Sequence, residues 1–359
     1  MTTRMQEYIT LGRSGLRVSP LCLGTMTFGN ERWGSEDRES RAIFDRYLEA
    51  GGNFLDTADS YALGRSEELL GRFVAERSLR DRLVIATKFT FNAEEGNPNA
   101  GGNGRKNIYR ALHGSLKRLG MEYVDLYWLH AWDRLTPVEE VVGTLNDLIR
   151  AGRIRYYAFS DVPAWYAARA ASLAECHGLS KPIALQLEYS LVERTIEREH
   201  VPAAQELGLA ICPWSPLASG FLSGKYGRGR STQGGNSRLE VLKNTNNPVF
   251  AKFTERNWKT LEALESVAGK LARSMAQVAL NWVATQPGVT STLVGATSRQ
   301  QLDDNLTCLD FAIPAELRRS LDEATALEPA HPYMFFEDVL QGRIRGGVTV
   351  HKWQSGGHP

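Results

Sequence analysis

The 359-residue sequence predicts a closed (β/α)8 barrel, and three observations carry that reading. Eight short apolar runs alternate with longer stretches of helical periodicity, the pattern of parallel strands joined by crossover helices. The runs are apolar on both sides, as strands covered by helices require. The sequence has neither a GxGxxG nor a GxxxxGK[ST] loop, so an open doubly wound sheet lacks its usual support.

The predicted strands cover 20–26, 53–59, 83–89, 123–130, 154–160, 182–189, 209–215 and 289–295. Helical stretches fill 36–50, 65–77, 105–119, 137–151 and 163–177. Residues 6–19 (QEYITLGRSGLRVS) read as a small hairpin closing the barrel bottom. Thr136-Pro137-Val138-Glu139, Ser274-Met275-Ala276-Gln277 and Ser298-Arg299-Gln300-Gln301 have capping-box spacing, the first with Pro at the first helical position. Glycines such as Gly120 and Gly208 follow helical stretches, where a left-handed residue ends a helix. Two segments lie outside the eight repeats: a loop at 218–250, rich in Gly, Ser, Asn and Arg, and a tail at 327–359 after a helical stretch at 315–327. The expectation is one domain over 1–359 with a core at about 7–325.

An apolar fraction of 42% is enough for one large core. A net charge of +1 creates no global field for nucleic acid or an anionic membrane, so neither partner is expected. Cys22, Cys176, Cys212 and Cys308 lack CxxC or zinc-like spacing and read as buried free thiols of a cytoplasmic protein. The segment MTTRMQEYITLGRSG lacks an apolar signal core, and no apolar run approaches the ~20 residues of a bilayer span.

Active sites of such barrels lie at the C-terminal strand ends. Asp56 is in the second strand, Tyr61 follows in the next loop, Lys88 is near the end of the third and His130 ends the fourth. Each alone has an ordinary reading: a cap, a packed ring, a solvated ammonium, a hydrogen-bonded imidazole. At neighbouring strand ends the four converge on proton transfer. Hydride reduction of a carbonyl leaves an alkoxide that needs a proton, and a phenol can give one. A nearby Lys88 favours the phenolate, Asp56 keeps Lys88 charged, and His130 donates to the carbonyl oxygen. A metal-dependent hydrolase barrel is the weaker alternative, because only one of the seven His, His130, sits at a predicted strand end. No metal is expected.

The run Phe54-Leu55-Asp56-Thr57-Ala58-Asp59-Ser60-Tyr61, followed by Gly64-Arg65-Ser66-Glu67-Glu68-Leu69-Leu70-Gly71, resembles the signature of the aldo-keto reductase superfamily. Val84–Lys88, Leu116–Gly120, Tyr123–Tyr127 and Gly152–Tyr156 are similar to further motifs of that family, and the match spans about 7–325. The resemblance implies reduction of an aldehyde or ketone with NADP(H), NADPH preferred and NADH possible, and the tetrad Asp56, Tyr61, Lys88 and His130 with Tyr61 as proton donor. It implies a cofactor site bordered by Gly24, Thr25 and Asp56. Ser160 and Gln186 would contact the nicotinamide carboxamide and Trp214 would stack on the ring. Ser215, Pro216, Leu217, Gly220, Leu222 and Lys225 would fold over the pyrophosphate. Gly295, Thr297, Gln301, Asp304 and Asn305 would hold the adenosine, although Gln301 also has its capping reading. Lys225 and Arg238 are the candidate partners of a 2′-phosphate.

Asp161 stands where the family usually has Asn. It either accepts from the carboxamide NH₂ or caps the helix beginning near Pro163. Trp33 and Trp132, with Tyr61 and His130, are the candidate substrate contacts for a keto-sugar or other bulky carbonyl. Tyr333, Phe335, Phe336 and Trp353 either wall that pocket or pin the tail. The alternative function is a cofactor-binding regulatory module with slow turnover, like the channel-associated members of the superfamily. Oligomeric state is not legible.

Overall fold

The computed structural model describes residues 4–228, 239, 241 and 247–350. An antiparallel pair, β1 (Ile9–Thr10) and β2 (Arg17–Val18), precedes eight parallel strands. These are β3 (Leu21–Gly24), β4 (Phe54–Asp56), β5 (Val84–Phe89), β6 (Val124–Leu129), β7 (Ile154–Ser160), β8 (Ala184–Glu188), β9 (Ala210–Trp214) and β10 (Thr292–Val294). Each pairs with the next in sequence up to β9, and β10 returns to pair with β3. A parallel bridge between Ile211 and Val289 closes the remaining gap, with Thr290 N–H donating to the Ile211 carbonyl at 2.9 Å. The (β/α)8 expectation holds, and every strand falls inside its predicted run.

Ten helices of the first unit surround the strands among the described residues. They are α1 (Asp37–Glu49), α2 (Arg65–Glu76), α3 (Arg105–Leu119), α4 (Val138–Arg150), α5 (Ala164–Cys176), α6 (Ile196–Leu207), α7 (Glu255–Leu271), α8 (Met275–Ala284), α9 (Arg299–Leu306) and α10 (Ala315–Ala324). Strand side chains alternate between two cores. Leu23, Leu55, Ile85, Tyr127, Phe159, Leu185 and Ile211 point outward into the helical layer. Cys22, Phe54, Ala86, Trp128, Ala158, Ala184, Cys212 and Leu293 point inward and fill the barrel. Leu11 and Val18 of the hairpin region are fully buried in this inner cluster, so the hairpin plugs the bottom. Burying one such aliphatic chain contributes about 1.5–3 kcal/mol, and a one-residue slip would exchange the two sets. Register is therefore strongly fixed.

The cap expectations divide. Ser274 and Gln277 form the full capping box of α8. Ser298 accepts from the Gln301 N–H at 3.2 Å, but Gln301 Oε1 turns to Thr297, so the α9 box is half made. Thr136 does not cap α4: Pro137 is the cap residue, and the Thr136 hydroxyl donates to Asp133 Oδ2 at 2.6 Å instead. Gly120 and Gly208 end α3 and α6 in the left-handed region, with φ of 63° and 70°. Cys22, Cys212 and Cys308 are buried free thiols, whereas Cys176, the last residue of α5, is exposed.

The chain divides into two units at Thr325 and Ala326. The second contains a single turn, Tyr333–Phe336, and α11 (Asp338–Ile344). Arg238 and Trp353 lie outside the described residues. Among the described residues, no helix is long and apolar enough to cross a membrane.

Candidate active site

The inward set continues up each strand with period two, and at the C-terminal end it changes character. Two residues beyond inward Cys22, Phe54, Ala86 and Trp128 come Gly24, Asp56, Lys88 and His130. Two beyond Ala158, Ala184, Cys212 and Leu293 come Ser160, Gln186, Trp214 and Gly295. The pleat that packs the core thus delivers these side chains to one end of the barrel.

Asp56 and Lys88 are essentially inaccessible, at 1% and 0% exposure. The Lys88 ammonium donates to Asp56 Oδ2, to the Thr57 carbonyl at 2.8 Å and to the Tyr61 hydroxyl at 3.2 Å. Gln186 Nε2 donates to the other Asp56 oxygen at 3.1 Å. Burial opposes the charge on Lys88, but Asp56 and the Tyr61 oxygen outweigh it and hold the ammonium above its usual range. The His130 ring meets Tyr61 edge-on, with centroids 5.8 Å apart at 78°. Burial, and then the charge of Lys88, push His130 well below its usual range, so its imidazole is neutral. Its Nδ1 is buried without a hydrogen-bond partner among the described residues. Such a group can donate through one ring nitrogen and no more.

The loops above the strands hold several non-glycine residues at positive φ, including Ala62 and Leu63 after Tyr61, Thr90 after β5, Asp161 after β7 and Ser215 after β9. Such backbone is held by its surroundings, and it clusters at sites. Asp161 does not cap α5, whose first turn has no side-chain cap. Its Oδ1 accepts from the Trp214 indole N–H at 3.1 Å and its Oδ2 from the Ser160 hydroxyl at 3.3 Å. The carboxyl opens onto the cavity yet is flanked by protein. Burial pushes it up to about 6 against those two hydrogen bonds.

A cavity of 1090 Å³ runs across these strand ends. Near the tetrad it is lined by Met26, Trp33, Tyr61, Phe91 and His130. It then passes Gly24, Asp56, Ser160, Asp161 and Gln186, and Trp214, Ser215, Pro216, Leu217, Gly220 and Lys225. Gly295, Thr297, Gln301, Asp304 and Asn305 line its far end. Three expected contacts do not line it. Thr25 is fully buried, its hydroxyl bonded to the Asp56 carbonyl and to Ser66. Leu222 is buried in the outer core. Trp132 turns away from the cavity to pack on Trp165 and Tyr166, with ring centroids at 5.4 and 6.3 Å.

Phe91 is a wall residue that sequence reasoning missed. It is half exposed to the cavity and packs edge-on against His130 at 4.7 Å. Lys225 faces the cavity, its amine pushed down from the usual lysine range by partial burial. Ser219 Oγ is buried on the same wall without a partner among the described residues. No group of three or more His, Cys, Asp or Glu among the described residues is arranged to hold a metal.

Known proteins resemble this chain over most of its length. The family model described as "Aldo/keto reductase family" matches residues 20–326. The chain is 38% identical over 329 residues to a probable voltage-gated potassium channel subunit beta of Oryza sativa subsp. japonica, covering 91% of this chain and 98% of the relative. It is 33% identical over 352 residues to the norsolorinic acid reductase stcV of Emericella nidulans, covering 95% and 87%. It is 31% identical over 359 residues to the aryl-alcohol dehydrogenase [NADP(+)] of Phanerodontia chrysosporium, covering 94% and 91%. A barrel with these strand ends, matched by the family model over nearly all of its first unit, belongs to the aldo/keto reductase family.

Proposed function

We propose that the chain is an NADP(H)-dependent oxidoreductase that reduces a bulky, largely apolar aldehyde or ketone, with Tyr61 as proton donor. The observation that carries the reading is the 3.2 Å contact between the Lys88 ammonium and the Tyr61 hydroxyl on the wall of a dinucleotide-sized cavity. The residues present fit such a cofactor. Trp214 offers a flat ring for stacking, Ser160 and Gln186 offer polar contacts, and Lys225 offers a cation for a phosphate. The name of the Phanerodontia relative specifies NADP(+), which favours the phosphorylated dinucleotide here.

When bound there, the reduced nicotinamide supplies the hydride. Neutral His130 donates a hydrogen bond to the carbonyl oxygen and orients it. As that oxygen becomes an alkoxide, Tyr61 gives it a proton. The resulting phenolate is stabilised by the Lys88 ammonium, which Asp56 holds charged, until solvent returns a proton. Met26, Trp33 and Phe91 make the substrate end apolar and aromatic, which suits an aryl carbonyl better than a sugar. The name of the Phanerodontia relative, an aryl-alcohol dehydrogenase, points the same way. A cytoplasmic location fits the free thiols.

The test follows NADPH absorbance with a panel of aryl, aliphatic and sugar carbonyls, repeated with NADH. Turnover on aryl aldehydes with NADPH supports the reading. The rice relative favours a second reading, a cofactor-binding subunit with slow turnover. Tight NADPH binding without multiple turnovers on any carbonyl would favour that one.

A further inference from the structure

Glu188 is the next inward position above Gln186 on β8, and it is paired in register with Trp214 of β9. It does not face solvent. Lys252 Nζ donates to Glu188 Oε1 at 2.7 Å, and the two side chains are 8% and 14% exposed. Both belong to the first unit. A buried ion pair of this kind is screened less than a surface bridge, and removing one partner costs more.

Lys252 sits just after a stretch that supplies Asn247, Val249 and Phe250 to the cavity wall. That stretch is a tight local structure. The Phe250 N–H donates to the Asn247 carbonyl at 3.1 Å, and the Val249 N–H donates to Asn247 Oδ1 at 3.0 Å. The Lys252 N–H donates to the Phe250 carbonyl at 2.9 Å, and the Lys252 carbonyl accepts from Asn257 Nδ2 at 2.9 Å. A second tie lies alongside. Phe221, in the turn after β9, packs on Trp258 at 5.0 Å and on Phe253 at 6.0 Å. The aromatic contacts hold the segment to the β9 loop, but they are not directional. The ion pair fixes it to the strand that carries Gln186.

We propose that Lys252 and Glu188 are positioning residues for cofactor retention: their ion pair holds Asn247, Val249 and Phe250 in the wall of the dinucleotide cavity. The proposal rests on the reading of that cavity as the cofactor site. It separates retention from chemistry, because neither residue lines the cavity and neither touches the tetrad in any contact described above.

The test uses full-length protein. NADPH dissociation is followed by stopped-flow nicotinamide fluorescence, and the hydride step by single turnover of enzyme preloaded with NADPH. Glu188→Gln and Lys252→Met are each expected to release NADPH about tenfold faster. Their single-turnover rates stay near wild type. The effects of the two single variants do not add in the double variant, since both remove the Lys252–Glu188 contact. Lys252→Arg, which keeps the cation, restores slow release. Should Lys252→Met not fold, Glu188→Gln against Lys252→Arg carries the same contrast. Dissociation unchanged in Glu188→Gln would overturn the proposal, as would a hydride step that falls in parallel with retention. If the wild type binds no nicotinamide dinucleotide, the cofactor reading fails with it; if the wild type binds and the variants match it, the positioning role alone fails.

Discussion

The Lys88 ammonium and the Tyr61 hydroxyl lie 3.2 Å apart, on a lysine with no exposed surface. Lys88 also touches Asp56 and the Thr57 carbonyl, so its three donor hydrogens are all committed. Replacing it by Met removes the charge that stabilises a phenolate. Lys88→Met is expected to lower turnover by ~10²–10⁴ and to move the phenol's ionisation limb in the pH–rate profile to higher pH. An unshifted limb in a folded variant would contradict the coupling.

Asp161 makes a different pH prediction. Burial raises its carboxyl to about 6, so it is largely neutral below that pH and ionised above it. An ionised Asp161 places a negative charge beside the site of an anionic dinucleotide. NADPH affinity, read from tryptophan fluorescence, should weaken as pH rises through about 6. Asp161→Asn keeps an acceptor for the Trp214 indole and should flatten the profile. Equal pH dependence in the two proteins would refute this.

Phe91 packs against His130 and lines the substrate end. Phe91→Ala should raise KM for aryl aldehydes by about 10- to 100-fold while changing KM for small aliphatic aldehydes little, because it removes apolar contact and leaves the tetrad intact. A loss equal for both substrates would remove Phe91 from specificity.

Asp59 links the site to stability. Burial, reinforced by Glu67, raises its carboxyl to about 7, and its Oδ1 has no hydrogen-bond partner among the described residues. Its unfolded value is about 3.9. The folded protein therefore binds more protons than the unfolded chain between these values, so this group's contribution to stability falls as pH rises from about 4 to about 7. Asp59→Asn cannot ionise, and its Tm should fall less over that interval than that of the wild type. Parallel Tm curves would show that Asp59 is not the group responsible.

The strands were legible because both faces are buried, which writes each one as an unbroken apolar run. The tetrad was legible for a related reason. Asp56, Lys88 and His130 interrupt those runs at inward positions, where an ionisable group has no packing role. Phe91 was not legible: it follows Thr90, whose φ of 129° turns the chain, and no periodicity survives such a bend. Trp132 failed for the same reason in reverse. Period two from His130 would aim it inward, but its N–H bonds to the Asp161 carbonyl at 3.3 Å and the ring swings onto Trp165. Thr25 and Leu222 sit at positions the family resemblance selects, and a resemblance transfers position without burial. At Thr136, capping-box spacing competed with a nearby acceptor, Asp133, and lost.

The central claim is that the Tyr61 hydroxyl gives the proton. Its most direct test is single-turnover NADPH oxidation by Tyr61→Phe with an aryl aldehyde, alongside NADPH affinity. The account predicts a rate lower by ~10²–10⁴ with affinity within about twofold of wild type, the pattern of an interaction made only in the transition state. A Tyr61→Phe enzyme that binds NADPH and turns over at the wild-type rate would contradict it.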